Sequence, residues 1–134
     1  MLVFVNGCFD VLHRGHFELL KFARQLGTRL VVAIDSDSRV KQLKGSDRPF
    51  FNQTDRQFAL ENLRWVDEVH VFDSEESLRQ LTQNLQPHIM VVGSDYRFKP
   101  VIGSEHAKEL RFFERIPNYS TTQILQNSLG RREL

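Results

Sequence analysis

The chain has 134 residues with a formal net charge of +1, and 40% of the residues are hydrophobic while 26% are charged. This length predicts one domain over residues 1–134, and the balanced charge gives no electrostatic reason to expect nucleic-acid or membrane partners. The single cysteine, Cys8, excludes an internal disulfide, and no apolar run approaches the ~20 residues of a membrane span, so we expect a cytoplasmic protein.

The amino-terminal part of the chain is predicted to form a β-α-β unit. Residues 2–5 (LVFV) and 29–34 (RLVVAI) are short apolar runs that predict buried strands. Between them, residues 15–27 carry apolar side chains at helical spacing, and Gly27 stands where a helix commonly ends. This succession predicts two parallel strands joined by a right-handed crossover.

The next part of the chain is predicted to form a loop followed by a helix. Residues 36–48 are polar, so we expect a loop there. Residues 53–65 predict a helix that is capped by Asn52 or Thr54. The apolar residues that should face the core from this helix are Phe58, Leu60 and Leu63.

The rest of the chain continues the alternation of strands and helices. Residues 66–72 and 88–93 predict a third and a fourth strand, and residues 74–85 predict an amphipathic helix between them. Ser74 is followed three positions later by Ser77, which is not the residue type of a capping box. A short fifth strand is expected at 111–116, and a last helix is expected from Ser120. The whole pattern predicts an α/β fold, a Rossmann-like three-layer sandwich with a mainly parallel five-stranded sheet.

Polar segments follow three of the predicted strands. They are NGCFD (6–10), DSDS (35–38) and GSDY (93–96). The carboxyl ends of parallel strands meet at one edge of a sheet, where ligands of such folds bind. We therefore expect one binding site at this edge, with Asp35 and Asp37 suited to hydroxyl groups of a ribose or a substrate.

The first of these segments continues into two histidines around a glycine, NGCFDVLHRGH. Gly7 ends the first strand, and Gly15 lies at the start of the predicted helix, whose free N–H groups attract anions. His13 and His16 are three positions apart, which places both rings on one side of the helix. This arrangement predicts a phosphate-binding site.

The two histidines also allow other interpretations. Each ring would be ordinary as a structural or solvated histidine. A partial zinc site with Cys8 and Asp10 is another alternative, but those residues lie around a strand end and supply no second ligand pair of the usual spacing. We expect Cys8 to pack as a small side chain rather than to act as a nucleophile.

The opening motif resembles the H-x-G-H signature of the nucleotidyltransferase superfamily that includes the cytidylyltransferases. Four further segments resemble the same superfamily, in the same order: LKGSDRP (43–49), RWVDEV (64–69), GSDY (93–96) and YSTTQIL (119–125). The chain looks most like the heptose-1-phosphate adenylyltransferase domain, and it is similar also to glycerol-3-phosphate cytidylyltransferase. It departs from the family pattern at Arg14 and over residues 108–117.

The resemblance implies the nucleotidyltransferase (HUP-type) fold and transfer of a nucleoside monophosphate from a nucleoside triphosphate to a sugar phosphate, with release of pyrophosphate. It implies ATP or CTP as the donor, with ATP favoured, and Mg²⁺ bound with the nucleotide, with Asp10 as a candidate contact. The catalytic residues that it implies are His13, His16, Lys44 and Arg64.

The other expected site residues fall into two groups. The expected nucleotide-binding residues are Gly7, Cys8, Phe9, Gly15, His16, Gly93, Asp95, Tyr96, Ser120, Thr121 and Thr122. The expected substrate-binding residues are Asp10, Asp35, Asp37, Lys44 and Arg56. Arg56 and Arg64 are eight positions apart, which would place both on one side of the predicted helix.

The acceptor stays open at this point. A CTP-dependent enzyme that acts on glycerol 3-phosphate, another alditol phosphate or a phosphonate would use the same chemistry. A nucleotide-binding module without turnover is the alternative of another class, although a pure binder would need neither histidine. Trp65 and the pair Phe112–Phe113 would supply apolar surface for a homodimer, which we also expect.

Overall fold

The computed structural model describes residues 1–114 and 124–125 of the chain. The strands are β1 (Leu2–Gly7), β2 (Arg29–Asp35), β3 (Glu68–Phe72), β4 (Ile89–Gly93) and β5 (Glu109–Phe113). The helices are α1 (Arg14–Gln25), α2 (Asp37–Lys44), α3 (Gln53–Glu61) and α4 (Glu75–Leu85). Two short 3₁₀ turns, Ser94–Tyr96 and Ser104–His106, lie between β4 and β5.

The five strands form one sheet in the order β3-β2-β1-β4-β5, and every neighbouring pair is parallel. The central strand β1 pairs with β2 over Leu2 to Gly7 and with β4 over Val3 to Val5. The strand order reverses between β1 and β4, which is the point where ligands bind in sheets of this kind. The α/β fold class that the sequence predicts is confirmed.

Apolar side chains cover both faces of the sheet. On one face, Val3 and Val5 of β1 pack in a cluster with Leu20 of α1 and Leu60 of α3. On the other face, Phe4 packs in a cluster with Leu78 of α4 and Met90 of β4. Helices therefore cover both faces of the sheet, and the sandwich has three layers. Strands that are buried on both faces are continuous apolar runs in the sequence.

Residues 37–44 form helix α2, where the sequence predicts a loop, and this prediction is wrong. The Ser36 hydroxyl caps the helix by accepting a hydrogen bond from the N–H of Arg39 at 3.3 Å. Val40 is the buried residue of the helix, so its sequence carries no apolar stripe that would reveal it. The helix ends at Gly45, whose φ of 112° favours a residue without a side chain.

Helix α3 is shorter than predicted and ends at Glu61. Asn52 caps it by accepting a hydrogen bond from the N–H of Asp55 at 2.9 Å, as one of the two predicted caps. Leu60 is buried as predicted, but Phe58 is 69% exposed, so its assignment to the core is wrong. Arg56 is buried whereas Arg64 lies beyond the helix and is exposed, so the two arginines do not share a helix side.

Helix α4 begins with a reciprocal cap that the sequence analysis did not predict. The Ser74 hydroxyl accepts from the N–H of Ser77 at 3.0 Å, and the Ser77 hydroxyl accepts from the N–H of Ser74 at 3.1 Å. A serine at the third helical position therefore takes the place of the usual glutamate. Strand β5 begins two residues before the predicted 111–116, and the predicted last helix from Ser120 lies outside the described residues except for 124–125.

Gly27 follows the end of α1, as the sequence predicts. The reason why a glycine is required at this position is not a left-handed backbone. A β-carbon on Gly27 would lie 2.5 Å from the carbonyl oxygen of Met1, so only glycine allows the two segments to approach. Among the described residues, no helix combines the length and the apolar character that crossing a bilayer requires.

Candidate active site

The carboxyl ends of β1, β2 and β4 meet at a cleft of about 460 Å³. Gly7, Asp35 and Gly93, which end these three strands, all line it. The three polar segments that the sequence places at one edge of the sheet therefore do contribute to one cleft. Its position matches the reversal of strand order between β1 and β4.

The start of α1 brings His13 and His16 into this cleft. The Nδ1 atom of His13 accepts a hydrogen bond from the N–H of Gly15 at 3.0 Å, and the Nδ1 atom of His16 accepts from the N–H of His13 at 3.2 Å. A nitrogen that accepts carries no proton, so each neutral ring has its proton on Nε2. The two ring centroids lie 4.0 Å apart, and burial lowers the pKa of His13, which favours the neutral form.

The loop between β1 and α1 supports the ring of His16. Phe9 and Val11 in this loop both have a φ of 52°, the left-handed region that residues with side chains rarely adopt. The Phe9 ring is buried, lies 5.4 Å from the His16 ring, and would be 3.0 Å from a β-carbon on Gly7. Gly7 is therefore needed for the approach of Phe9, which in turn packs beside His16.

Asp10 lines the cleft, but its carboxylate is fully engaged with another part of the chain. It is 1% exposed and accepts hydrogen bonds from the N–H of Phe50 at 2.6 Å and from the N–H of Phe51 at 2.9 Å. The Nε atom of Arg48 lies 3.5 Å from the same carboxylate. The structure therefore gives Asp10 the task of anchoring the loop after α2, which departs from the substrate or magnesium contact expected from the sequence.

Arg56 is a buried hub rather than a substrate-binding residue, so that expectation is corrected. Its side chain is 2% exposed and donates to the carbonyl oxygens of Phe51, Cys8 and Asp35 at 2.8–2.9 Å. It also donates to the carboxylate of Asp37 at 2.9 Å. These bonds tie together the ends of β1 and β2, the start of α2 and the start of α3, and they occupy the donors that a substrate would need.

Asp35, which ends β2, and Asp37, which begins α2, have different partners in the fold. Asp35 lines the cleft and accepts a hydrogen bond from the Nε atom of Arg39 at 2.8 Å. The carboxylate of Asp37 instead pairs with Arg56 and does not line the cleft, so its predicted contact with a substrate is not supported by its position. Arg39 lines the cleft as well, and sequence reasoning missed it because α2 was not predicted.

The two other basic residues predicted to be catalytic also lie in different places. Lys44, the last residue of α2, lines the cleft. Arg64 is exposed, its guanidinium carbon lies 5.4 Å from the centre of the Trp65 ring, and it is not among the residues that line the cleft in the described part of the chain. The structure therefore brings Lys44, but not Arg64, to the two histidines.

Most of the expected nucleotide-binding residues do surround the cleft. Burial raises the pKa of the Cys8 thiol, although Lys44 and Arg56 oppose the shift, so the thiol stays protonated at neutral pH. Of Asp95 only the backbone is described, and Ser120, Thr121 and Thr122 lie outside the described residues. The predicted nucleotide-binding residues that line the cleft are Gly7, Cys8, Phe9, Gly15, His16, Gly93 and Tyr96.

The described residues offer no ready metal site. No cluster of three or more histidine, cysteine, aspartate or glutamate side chains within residues 1–114 and 124–125 is arranged to hold a metal ion. Of the two carboxylates of the cleft, Asp10 accepts two backbone N–H groups, and Asp35 is paired through its Oδ1 atom with the cation of Arg39, which opposes the binding of a metal ion. These side chains therefore do not fit a dedicated magnesium site as they stand.

The chain is similar to known proteins over most of its length. Residues 4–127 match the family described as cytidylyltransferase-like. The chain is 49% identical over 125 residues to the bifunctional protein HldE of Helicobacter pylori strain G27, and 45% identical over 125 residues to HldE of a Nitratiruptor species. Each match covers 93% of this chain but 27% of the relative, so the chain spans about a quarter of the length of these curated relatives.

Two solved structures are similar in fold. The lipopolysaccharide core biosynthesis protein of Thermoplasma volcanium has a TM-score of 0.71 and 26% identity, and the match covers 87% of this chain and 98% of the other. Pantothenate synthetase of Thermus thermophilus has a TM-score of 0.66 and 15% identity, covering 98% of this chain and 64% of the other. The second likeness is one of fold alone.

Proposed function

Because this chain belongs to the cytidylyltransferase-like family of nucleotidyltransferases, we propose that it transfers AMP from ATP to heptose 1-phosphate, with ADP-heptose and pyrophosphate as products. The observation that carries the proposal is the pair His13 and His16, whose Nδ1 atoms accept backbone N–H groups at the start of α1 in the cleft at the sheet's switch point. Similarity to HldE over 93% of the chain supports the choice of the heptose phosphate.

The reaction needs no strong general base. The second pKa of a phosphate monoester is about 6, so the acceptor phosphate is already ionised at neutral pH. One of its oxygens attacks the α-phosphorus of the nucleotide, and the bond from the α-phosphorus to the bridging oxygen breaks as pyrophosphate leaves. The protein must hold two polyanions in line and stabilise the charge that develops between them.

The described cleft supplies groups for that task. The Nε2–H groups of His13 and His16 donate to phosphate oxygens without adding a charge, and the N-terminus of α1 adds a positive field. Lys44 supplies the positive charge, at the α-phosphate or at the acceptor phosphate. Ser120, Thr121 and Thr122 are proposed to bind the pyrophosphate, and Arg64 to interact with the β- and γ-phosphates only after a change in its position.

Magnesium is proposed to enter with the nucleotide, because Mg²⁺ commonly binds through substrate phosphates and keeps several waters. Asp10 is bound by two backbone N–H groups and Asp35 is paired with Arg39 through its Oδ1 atom, so no protein ligand set is assigned to the ion.

Two further proposals concern the state of the protein. We propose one catalytic domain over residues 1–134 and a cytoplasmic homodimer. Trp65 and Phe113, which the sequence offered as dimer surface, pack partly against the core, so Phe58, at 69% exposure, is the better-placed apolar contact. Sedimentation of the wild type and of Phe58→Ser tests this, because a monomer in both cases contradicts the dimer.

The enzymatic proposal is tested by pyrophosphate release. Purified protein with Mg²⁺ receives ATP or CTP, each with heptose 1-phosphate or glycerol 3-phosphate, and we expect release with ATP and heptose 1-phosphate. Release with CTP and glycerol 3-phosphate instead would favour the cytidylyltransferase alternative. Nucleotide binding by calorimetry without release from any pair would contradict both and favour a binding module.

A further inference from the structure

Two cations and two carboxylates line the described part of the cleft, and they are not equivalent. The cations are Lys44 and Arg39, and the carboxylates are Asp10 and Asp35. Asp10 faces the loop after α2, where it binds two backbone N–H groups. The pair formed by Asp35 and Arg39 is therefore the charged feature of the cleft that the proposed reaction does not use.

This pair is held rigidly. The Nε atom of Arg39 lies 2.8 Å from the Oδ1 atom of Asp35, and each side chain is only 14% exposed. The guanidinium carbon lies 5.5 Å from the centre of the Phe72 ring, a distance at which a cation and an aromatic face attract each other. The backbone N–H of Arg39 is fixed by the Ser36 cap. A group so constrained loses little conformational freedom when it binds a ligand.

The ion pair of Asp35 and Arg39 still has hydrogen-bond donors and one acceptor that no other residue in the described part of the chain uses. In residues 1–114 and 124–125, no other hydrogen bond reaches the guanidinium of Arg39 or the carboxylate of Asp35. The terminal N–H groups of Arg39 and the Oδ2 atom of Asp35 therefore belong to one ion pair that lines the cleft. A hydroxyl group both donates and accepts, and it matches this combination.

A phosphate matches the pair poorly, because it offers only acceptors and would meet the carboxylate of Asp35. Leu43 of the same helix also lines the cleft, is 63% exposed, and offers an apolar surface that suits the C–H face of a sugar. We propose that Arg39 is a specificity-determining residue that, together with Asp35, binds hydroxyl groups of the acceptor's sugar. The inference rests on the proposed function and names a residue that binds the sugar rather than its phosphate.

The positions of Lys44 and Arg39 on α2 are consistent with one residue binding the phosphate and the other binding the sugar. Arg39 lies in the first turn of α2 and Lys44 is its last residue, five positions later. A rise of 1.5 Å per residue separates them by roughly 7–8 Å along the helix axis. Lys44 can therefore hold the acceptor phosphate while Arg39 reaches hydroxyl groups at the far side of a sugar ring.

The test compares Arg39→Met with Arg29→Met in the pyrophosphate-release assay. Arg29 is a matched control because it lies on the same strand-and-helix unit, at the opposite end of β2, in an exposed ion pair of the same length with Glu68, 2.8 Å. We expect Arg39→Met to raise the KM for heptose 1-phosphate by about 10-fold or more and to leave the KM for ATP within about twofold, since hydrogen bonds to a charged group are lost. Arg29→Met should change neither.

A second measurement separates the sugar from the phosphate. Inorganic phosphate, which carries no sugar hydroxyl group, is used as a competitive inhibitor against heptose 1-phosphate, and Arg39→Met should leave its inhibition constant within about twofold. Equal weakening of both ligands would show that Arg39 binds the phosphate and would overturn the inference. An unchanged KM for heptose 1-phosphate in Arg39→Met would also overturn the inference. The proposed function would still hold in that case, because the wild type would still release pyrophosphate.

Failure of the proposed function is a separate result, seen as no release by the wild type with any acceptor, and the inference would fall with it. If Arg39→Met does not fold, Arg39→Lys takes its place, because lysine keeps the charge but loses the planar fork. Wild-type protein should then discriminate between heptose 1-phosphate and its deoxy analogues more strongly than Arg39→Lys does. Equal discrimination by the two proteins would contradict the inference.

Discussion

His13 and His16 cap the first turn of α1 with their own side chains. His16 accepts a hydrogen bond from the backbone N–H of His13, and His13 accepts one from Gly15. In both rings the cap uses Nδ1, which places the proton of the neutral ring on Nε2. One arrangement therefore stabilises the helix and assigns the proton of each neutral ring to Nε2, the nitrogen proposed to bind phosphate.

His16→Ala should lower kcat by about 10²–10³-fold, because it removes a donor proposed to act on charge that develops in the transition state. His16→Gln is the matched variant, since glutamine at this position of a capping box can still accept from the N-cap N–H. It should keep the stability of the wild type in urea unfolding. Near-normal turnover in His16→Ala would contradict the assignment of the catalytic histidine.

The stability of the fold should fall in acid partly because of His13. Burial lowers its pKa in the folded state below the usual 6.5, so the unfolded chain binds the proton more readily. Stability therefore decreases as the pH falls below about 6.5, and it is fully present at higher pH. Protonation also competes with the cap, because Nδ1 can then no longer accept from Gly15.

The measurement is urea unfolding at pH 7.5 and pH 5.5 for the wild type and for His13→Asn. Asparagine is a good N-cap that does not titrate, so the variant should lose less stability than the wild type over this interval. An equal loss in both proteins would show that groups other than His13 determine the acid sensitivity.

Asp10→Asn should destabilise the fold by about 2–4 kcal/mol. The buried carboxylate accepts from the N–H groups of Phe50 and Phe51 and lies beside Arg48, and an amide would turn a donor toward these donors. Urea unfolding measures the loss. If Asp10 were instead a magnesium contact, the variant would keep its stability and lose activity in a way that high Mg²⁺ partly restores.

Arg56→Met should destabilise the fold by about 3–5 kcal/mol, because it leaves three partly buried carbonyl groups and the Asp37 carboxylate without their buried donor. Arg64→Met is the control for stability, since an exposed arginine contributes within about 0.5 kcal/mol. Thermal and urea unfolding of both variants test this. A stable Arg56→Met with a raised KM for the acceptor would restore the substrate-binding role that the sequence suggested.

Strand β1 can be predicted from the sequence whereas helix α2 cannot, and the difference lies in how many of their residues are buried. Strand β1 is an apolar run buried on both faces, so its composition alone identifies it. Helix α2 has only two apolar residues, the buried Val40 and the exposed Leu43, so it carries too weak a periodic apolar signal to be predicted, and Arg39 was missed with it. Phe58 shows the converse, an apolar residue at helical spacing that the fold leaves exposed.

The sequence by itself determined the alternation of strands and helices, the parallel sheet and the meeting of three polar segments at one edge, because these follow from local periodicity and chain handedness. Only the tertiary structure decided which charged side chains face the cleft. Asp10 is bound by residues 40 and 41 positions away, and Arg56 by the carbonyl of Cys8, 48 positions away. Such partners lie far apart along the chain, so no local pattern can reveal whether a carboxylate or a guanidinium is left to bind a ligand.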